Sequence, residues 1–69
     1  MSTPPVWRQP DGTPVACKEK LLVLEENHAE LARMLQDAFD DAILMGVDEA
    51  AMRSILIELV EGLVTPKRR

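Results

Sequence analysis

The chain has 69 residues, of which 46% are hydrophobic and 29% charged, and its formal net charge is -4. A chain of this length forms at most one small domain, whose core is marginal unless a disulfide, a metal or a partner chain supports it. Its single cysteine excludes an internal disulfide, and its acidic charge opposes general binding to the phosphate backbone of nucleic acids.

The sequence predicts neither a signal peptide nor a membrane-spanning segment. The start, "MSTPPVW", lacks the basic and apolar regions of a signal peptide, and no apolar run approaches the roughly 20 residues that span a bilayer. The basic end "PKRR" is typical of a solubilising tail. A lone cysteine fits a reducing compartment. We therefore expect a cytoplasmic protein that binds neither membrane nor nucleic acid.

Residues 1–13 form a proline-rich N-terminal arm. The stretch "QPDGTP" predicts a turn, since proline presets its own φ and Gly12 adopts a positive φ cheaply. Trp7 is the largest apolar group of the arm, and we predict that it anchors the arm onto the helices, because burying an indole offsets the entropy lost by ordering a few residues. The alternative is a loose tail with an exposed tryptophan.

The first helix is predicted over residues 14–45. Pro14 after Thr13 is one start, a later start near Cys17 is another, and Gly46 ends the helix. Its apolar positions alternate spacings of four and three, which predicts a heptad seam with His28 as its only polar member. These positions are Cys17, Leu21, Leu24, His28, Leu31, Leu35, Ala38, Ala42 and Met45.

A second, shorter helix is predicted over residues 49–64, followed by a basic tail over 65–69. Asp48 is a good N-cap for it, and the link between the helices is so short that they must run antiparallel. Residues 14–69 therefore form one helical hairpin. The predicted fold is all-α: a long-short antiparallel helical hairpin with an irregular N-terminal arm.

The difference in helix length predicts dimerisation. At the rise of an α-helix the first helix is about 45 Å long and the second about 25 Å, so the N-terminal half of the first keeps its leucines uncovered. We expect a two-fold homodimer that forms a four-helix bundle. The predicted interface residues are Cys17, Leu21, Leu24, His28, Leu31 and Leu35. A different chain with a matching helix would satisfy the same surface, which makes a subunit of a hetero-assembly an alternative.

His28 has two interpretations. A polar residue within a seam fixes register and oligomeric state, and this is the interpretation we favour. Glu25 and His28 also have the Glu-x-x-His spacing that supplies two metal ligands in di-iron four-helix bundles. A metal-binding dimer that uses Glu25 and His28 is therefore the alternative function, although we expect no cofactor.

No set of residues predicts an enzyme. The chain has no glycine-rich phosphate loop and no Ser-His-Asp arrangement. His28 lies about three turns from Cys17 on the same helix, too far to activate it as a nucleophile, so we expect Cys17 to be a small apolar filler. The sequence favours a small homodimeric interaction or regulatory protein without catalytic activity.

Overall fold

The computed structural model describes residues 4–68, and the residues of the predicted arm and tail at 1–3 and 69 lie outside this range. Within it the chain forms two α-helices, α1 (Lys18–Leu44) and α2 (Glu49–Glu61), and a short 3₁₀ helix, Pro66–Arg68. The part of the chain that is described has no β-strand, only an isolated bridge between Arg8 and Pro14. The fold is thus an all-α two-helix hairpin whose helices pack against each other.

The chain divides into two compact units, one that ends at Ala32 and one that begins at Arg33, so the boundary falls inside α1. In the first unit the arm forms a small hairpin, which we call the N-terminal hairpin, over residues 7–15. The amide of Gly12 donates to the Gln9 carbonyl at 2.8 Å, and that of Val15 donates to the Trp7 carbonyl at 2.7 Å. Gly12 has φ 91°, as the turn chemistry predicts.

The N-terminal hairpin excludes the predicted helix start at Pro14 and agrees with the alternative start near Cys17. Pro14 pairs with Arg8 instead of opening the helix, so α1 begins at Lys18 and its first bond runs from the Leu21 amide to the Cys17 carbonyl at 2.9 Å. Irregular structure consequently extends to Cys17, beyond the predicted limit of the arm.

In the second unit, glycine and aspartate set the hairpin between the helices. Gly46 has φ 99°, its amide donates to the Ile43 carbonyl at 3.0 Å, and the Val47 amide donates to the Ala42 carbonyl at 2.9 Å. This pattern is a Schellman motif, and it ends α1. The second helix then starts at once, because the Asp48 carboxylate accepts from the Ala51 amide at 2.9 Å.

The second helix is shorter than the sequence predicts. It ends at Glu61 and not at 64, because the Leu63 amide bonds to the Val60 carbonyl, three residues back, at 3.2 Å. Part of the predicted basic tail folds into the 3₁₀ helix. No helix in residues 4–68 combines the length and apolar character needed to cross a bilayer.

No residue among 4–67 is buried. The least exposed side chains are half-buried, and each unit contains four of them. Those of the first unit are Trp7, Val15, Leu21 and Leu24, and those of the second are Phe39, Ala42, Met52 and Leu56.

Candidate functional site

The N-terminal hairpin lies over α1 in the first unit. The rings of Trp7 and His28 meet edge to face, with centroids 5.8 Å apart and an interplanar angle of 82°. Aromatic pairs favour this geometry because the positive edge of one ring faces the electron-rich face of the other. Indole Nε1 of Trp7 is buried and donates to no protein group in the described chain.

Part of the heptad seam is therefore less open than its sequence indicates. Leu21 and Leu24 are half-buried, and the ring of Trp7 stands against His28. Leu31 and Leu35 stay exposed. The dimer interface remains a prediction for Cys17, Leu21, Leu24, His28, Leu31 and Leu35. A second chain would compete with the N-terminal hairpin for the first half of this surface.

A groove of about 430 Å³ lies beside this contact. Its apolar walls come from Val15, Val23 and Leu24, and Glu19 and Lys20 flank them. Val15 is the one lining residue that precedes α1. No role was predicted for it from the sequence. The sequence does contain a signal for the position of Val15. Trp7 and Val15 lie on either side of the turn from Gln9 to Gly12, as the paired residues of a β-hairpin do.

Cys17 precedes α1 and is exposed. The backbone amides of Lys20 and Glu19 lower the pKa of its thiol, because they donate hydrogen bonds that favour the thiolate. The prediction that Cys17 is a small apolar filler did not take these backbone amides into account. The amides of the first turn of a helix have no partner within the helix. A thiol just before the helix therefore lies close to them independently of the rest of the fold.

The metal hypothesis gains no further ligands. Glu25 and His28 lie one turn apart on α1, but within residues 4–68 no three His, Cys, Asp or Glu side chains come together as a set able to hold an ion. The Glu25 and His28 pair therefore remains a hypothesis that rests on spacing alone.

The second unit holds α2 against α1 with one charged contact. The guanidinium of Arg53 lies 4.8 Å from the centre of the Phe39 ring, and its Nη2 is 3.2 Å from Oε1 of Glu49. The sequence indicates the pairing with Glu49 at helical spacing but not the stacking on Phe39, which depends on how the helices meet.

Many of the other apolar side chains of this unit are exposed. On α2 and just after it, six of them are exposed: Ile55, Ile57, Leu59, Val60, Leu63 and Val64. A further cleft of about 530 Å³ is lined by Leu63, Val64, Thr65 and Lys67. Chemically, exposed apolar surfaces of this kind can bind apolar partners.

No protein-family model matches this chain, and comparison with curated proteins and with solved structures gives no match to either.

Proposed function

We propose that this protein is a small homodimeric helical interaction protein without catalytic activity. The observation that carries the proposal is the absence of any buried residue among 4–67 in a chain that is 46% hydrophobic. Apolar surface is driven out of water, and a single copy leaves most of its leucines, isoleucines and valines in contact with it.

The exposed area supports the same proposal. The chain exposes 6429 Å², whereas a folded monomer of this mass exposes about 4,300 Å². The excess, about 2,100 Å² per chain, is within the range that permanent complexes bury on each partner. Association with a second chain would reduce this excess of exposed area.

The role we propose is that of an adaptor or regulator, acting through exposed apolar surfaces and an acidic net charge. The exposed, unpaired Cys17 thiol fits a reducing compartment, so we propose the cytoplasm as its location. The Glu-x-x-His pair is not required by this function.

Native mass spectrometry of protein purified without chelators tests the proposal, because it reports subunit number and bound mass together. We expect dimers with the mass of two bare chains. Monomers at every concentration would contradict self-association, and weak helicity in the same sample would then indicate a subunit of a hetero-assembly. A dimer that carries metal would contradict the proposed role and support the site at Glu25 and His28.

A further inference from the structure

The N-terminal hairpin is held together by its own hydrogen bonds. The backbone amide of Gln9 donates to the Thr13 carbonyl at 2.8 Å, and the side-chain amide of Gln9 donates to the Thr13 hydroxyl at 3.0 Å. The guanidinium of Arg8 donates to the Gly12 carbonyl at 2.9 Å. Within residues 4–68, no hydrogen bond or salt bridge joins the hairpin to α1. Separation from α1 would therefore cost the hairpin no polar contact.

Apolar and aromatic contacts join the hairpin to α1. Trp7 meets His28 edge to face at a centroid distance of 5.8 Å, and Val15 lines one groove together with Leu24 of α1. Leu24 is half-buried, whereas Leu31, one heptad later on the same seam, is 57% exposed. The hairpin therefore covers the first part of the seam and leaves its continuation open.

The closed arrangement has one built-in opposing contribution. Nε1 of Trp7 is buried and donates to no protein group in the described chain. A buried donor without an acceptor loses the hydrogen bond that it would make to water, and separation of the hairpin from α1 restores that bond. Ala16 and Cys17 belong to neither the hairpin nor a helix, and they form a connection that can act as a hinge. These features favour a hairpin that opens while α1 stays helical.

We propose that the N-terminal hairpin is an autoinhibitory cover for the first half of the heptad seam. In the closed state Trp7 contacts His28, and the seam is covered near Leu24. In the open state the hairpin has turned away about Ala16 and Cys17, and the seam is free to pack against a second copy. Only open chains associate through the seam, so the apparent dissociation constant of the dimer rises as the open fraction falls. This inference rests on the proposed self-association and adds its regulation.

Unfolding in urea tests whether the hairpin opens by itself. Trp7 is the only tryptophan of the chain, so its fluorescence reports on the hairpin, whereas circular dichroism at 222 nm reports on the helices. For dilute protein we expect the midpoint of the fluorescence transition to lie about 1 M lower in urea than that of the dichroism transition, because the cover opens first. Coincident midpoints would show that hairpin and helices unfold as one unit, and they would overturn the proposal.

Sedimentation equilibrium of Trp7→Ala tests the inhibition. This change removes the anchor of the hairpin and leaves every residue of α1 in place, so the covered part of the seam should become free. We expect the dissociation constant of the dimer to fall by at least about threefold. Val6→Ala is the matched control, because it shortens an apolar side chain of the arm that is already 61% exposed. It should change the constant by less than about twofold.

Gly12→Val opens the cover by a second route. Gly12 has φ 91°, which valine adopts only with strain, and an added Cβ would meet no atom within 4 Å. The variant therefore disturbs the turn of the hairpin while Trp7 and the residues of α1 are unchanged. We expect the dissociation constant to fall in this variant as well. Circular dichroism at 222 nm checks that both variants keep their helices.

The outcomes distinguish this inference from the function on which it rests. A dimer whose dissociation constant is unchanged or raised in either Trp7→Ala or Gly12→Val would overturn the autoinhibitory cover and leave self-association intact. A wild-type chain that is largely monomeric but dimerises in both variants would support the cover. Wild-type and variant chains that all remain monomeric would overturn both the cover and the self-association.

Discussion

Side chains of this protein are held by near neighbours in sequence. The side-chain hydrogen bonds found within residues 4–68 join groups at most five positions apart, as from the Gln9 amide to the Pro14 carbonyl. Asp11 accepts from the amide and hydroxyl of Thr13 at 3.0 and 2.7 Å. Asp48 accepts from Ala51 three residues on. Such local hydrogen bonds form together with the turn or helix end that contains them. A substitution at one of these sites should therefore affect that turn or helix end and not the others.

The thiol of Cys17 should react at lower pH than an ordinary thiol. The amides of Lys20 and Glu19 lower its pKa, and the thiolate is the form that iodoacetamide alkylates. We expect the alkylation rate to rise with pH at an inflection below the ordinary value of about 8.5. In urea the helix start is lost, and the inflection should return to that value. Identical inflections in folded and unfolded protein would contradict this prediction.

Acid should open the N-terminal hairpin. Hydrogen bonds from the hydroxyl and the amide of Thr13 lower the pKa of Asp11 in the folded chain, so its contribution is complete above the unfolded value of about 3.9 and disappears as pH falls through the lowered pKa. We expect the fluorescence of Trp7 to shift to the red over this acidic range.

Asp11→Asn is the matched control for that shift. The amide oxygen of asparagine still accepts from Thr13 but does not titrate, so the acid-induced change in Trp7 fluorescence should be smaller in the variant. Equal changes in both proteins would show that other carboxylates cause the shift.

At the scale of elements, the ends of the helices are fixed more firmly than their faces. The Schellman motif at Gly46 and the cap at Asp48 define the turn between α1 and α2. Between the helices of the second unit, the half-buried residues are few, and Arg53 on Phe39 is a specific contact between them. The turn and this contact can be tested separately.

Gly46→Ala should destabilise the protein. Gly46 has φ 99°, and an added Cβ would meet no atom within 4 Å, so the whole effect comes from backbone strain. We expect unfolding in urea to show a loss of about 1–2 kcal/mol. Gly62→Ala is the control, because Gly62 has φ -80° and its new Cβ would be 3.4 Å from the Glu58 carbonyl oxygen. An equal loss in both variants would contradict the role of φ.

Removing the charge of Arg53 should loosen α2 from α1. Arg53→Met keeps an apolar side chain but loses both the cation over Phe39 and the pair with Glu49. We expect a loss of about 0.5–1 kcal/mol from the first and a few tenths of a kcal/mol from the second, since both sites are exposed. Double-mutant cycles with Phe39→Leu and Glu49→Gln separate the terms. A cycle with Phe39→Leu that gives no coupling would show that the cation-π contact does not stabilise the protein.

At the scale of the whole molecule, none of residues 4–67 is buried. The half-buried residues of the chain are few, and most of its leucines, isoleucines and valines are exposed. If the chain associates as we propose, its stability should depend on protein concentration.

The unfolding temperature should therefore rise with protein concentration. For a homodimer that unfolds to two chains, a tenfold increase adds about 1.4 kcal/mol of apparent stability, which corresponds to a rise in Tm of about 4 °C. Circular dichroism at 222 nm over two decades of concentration measures it. A Tm that does not change with concentration would argue for a stable monomer.

The sequence by itself determined the elements that depend on local chemistry. Gly46 and Asp48 mark the turn between the helices, the apolar period indicates helices on both sides, and Gly12 marks the turn of the arm, because each of these depends on φ preferences and bonds between near neighbours. The start of α1 was not decided in this way. Pro14 suits both a first helical turn and a hairpin strand, and only its pairing with Arg8 excludes the helix.

Only the tertiary structure decided which surfaces are covered. The sequence predicts Trp7 as the anchor of the arm but does not say which helical residue it meets. The contact between Trp7 and His28 joins residues far apart in sequence, so only the structure identifies it. For the same reason, the sequence does not predict the stacking of Arg53 on Phe39 or the exposure of Leu59 and Leu63. Periodicity defines an apolar face, and the arrangement of the rest of the chain decides whether that face is covered or left in water.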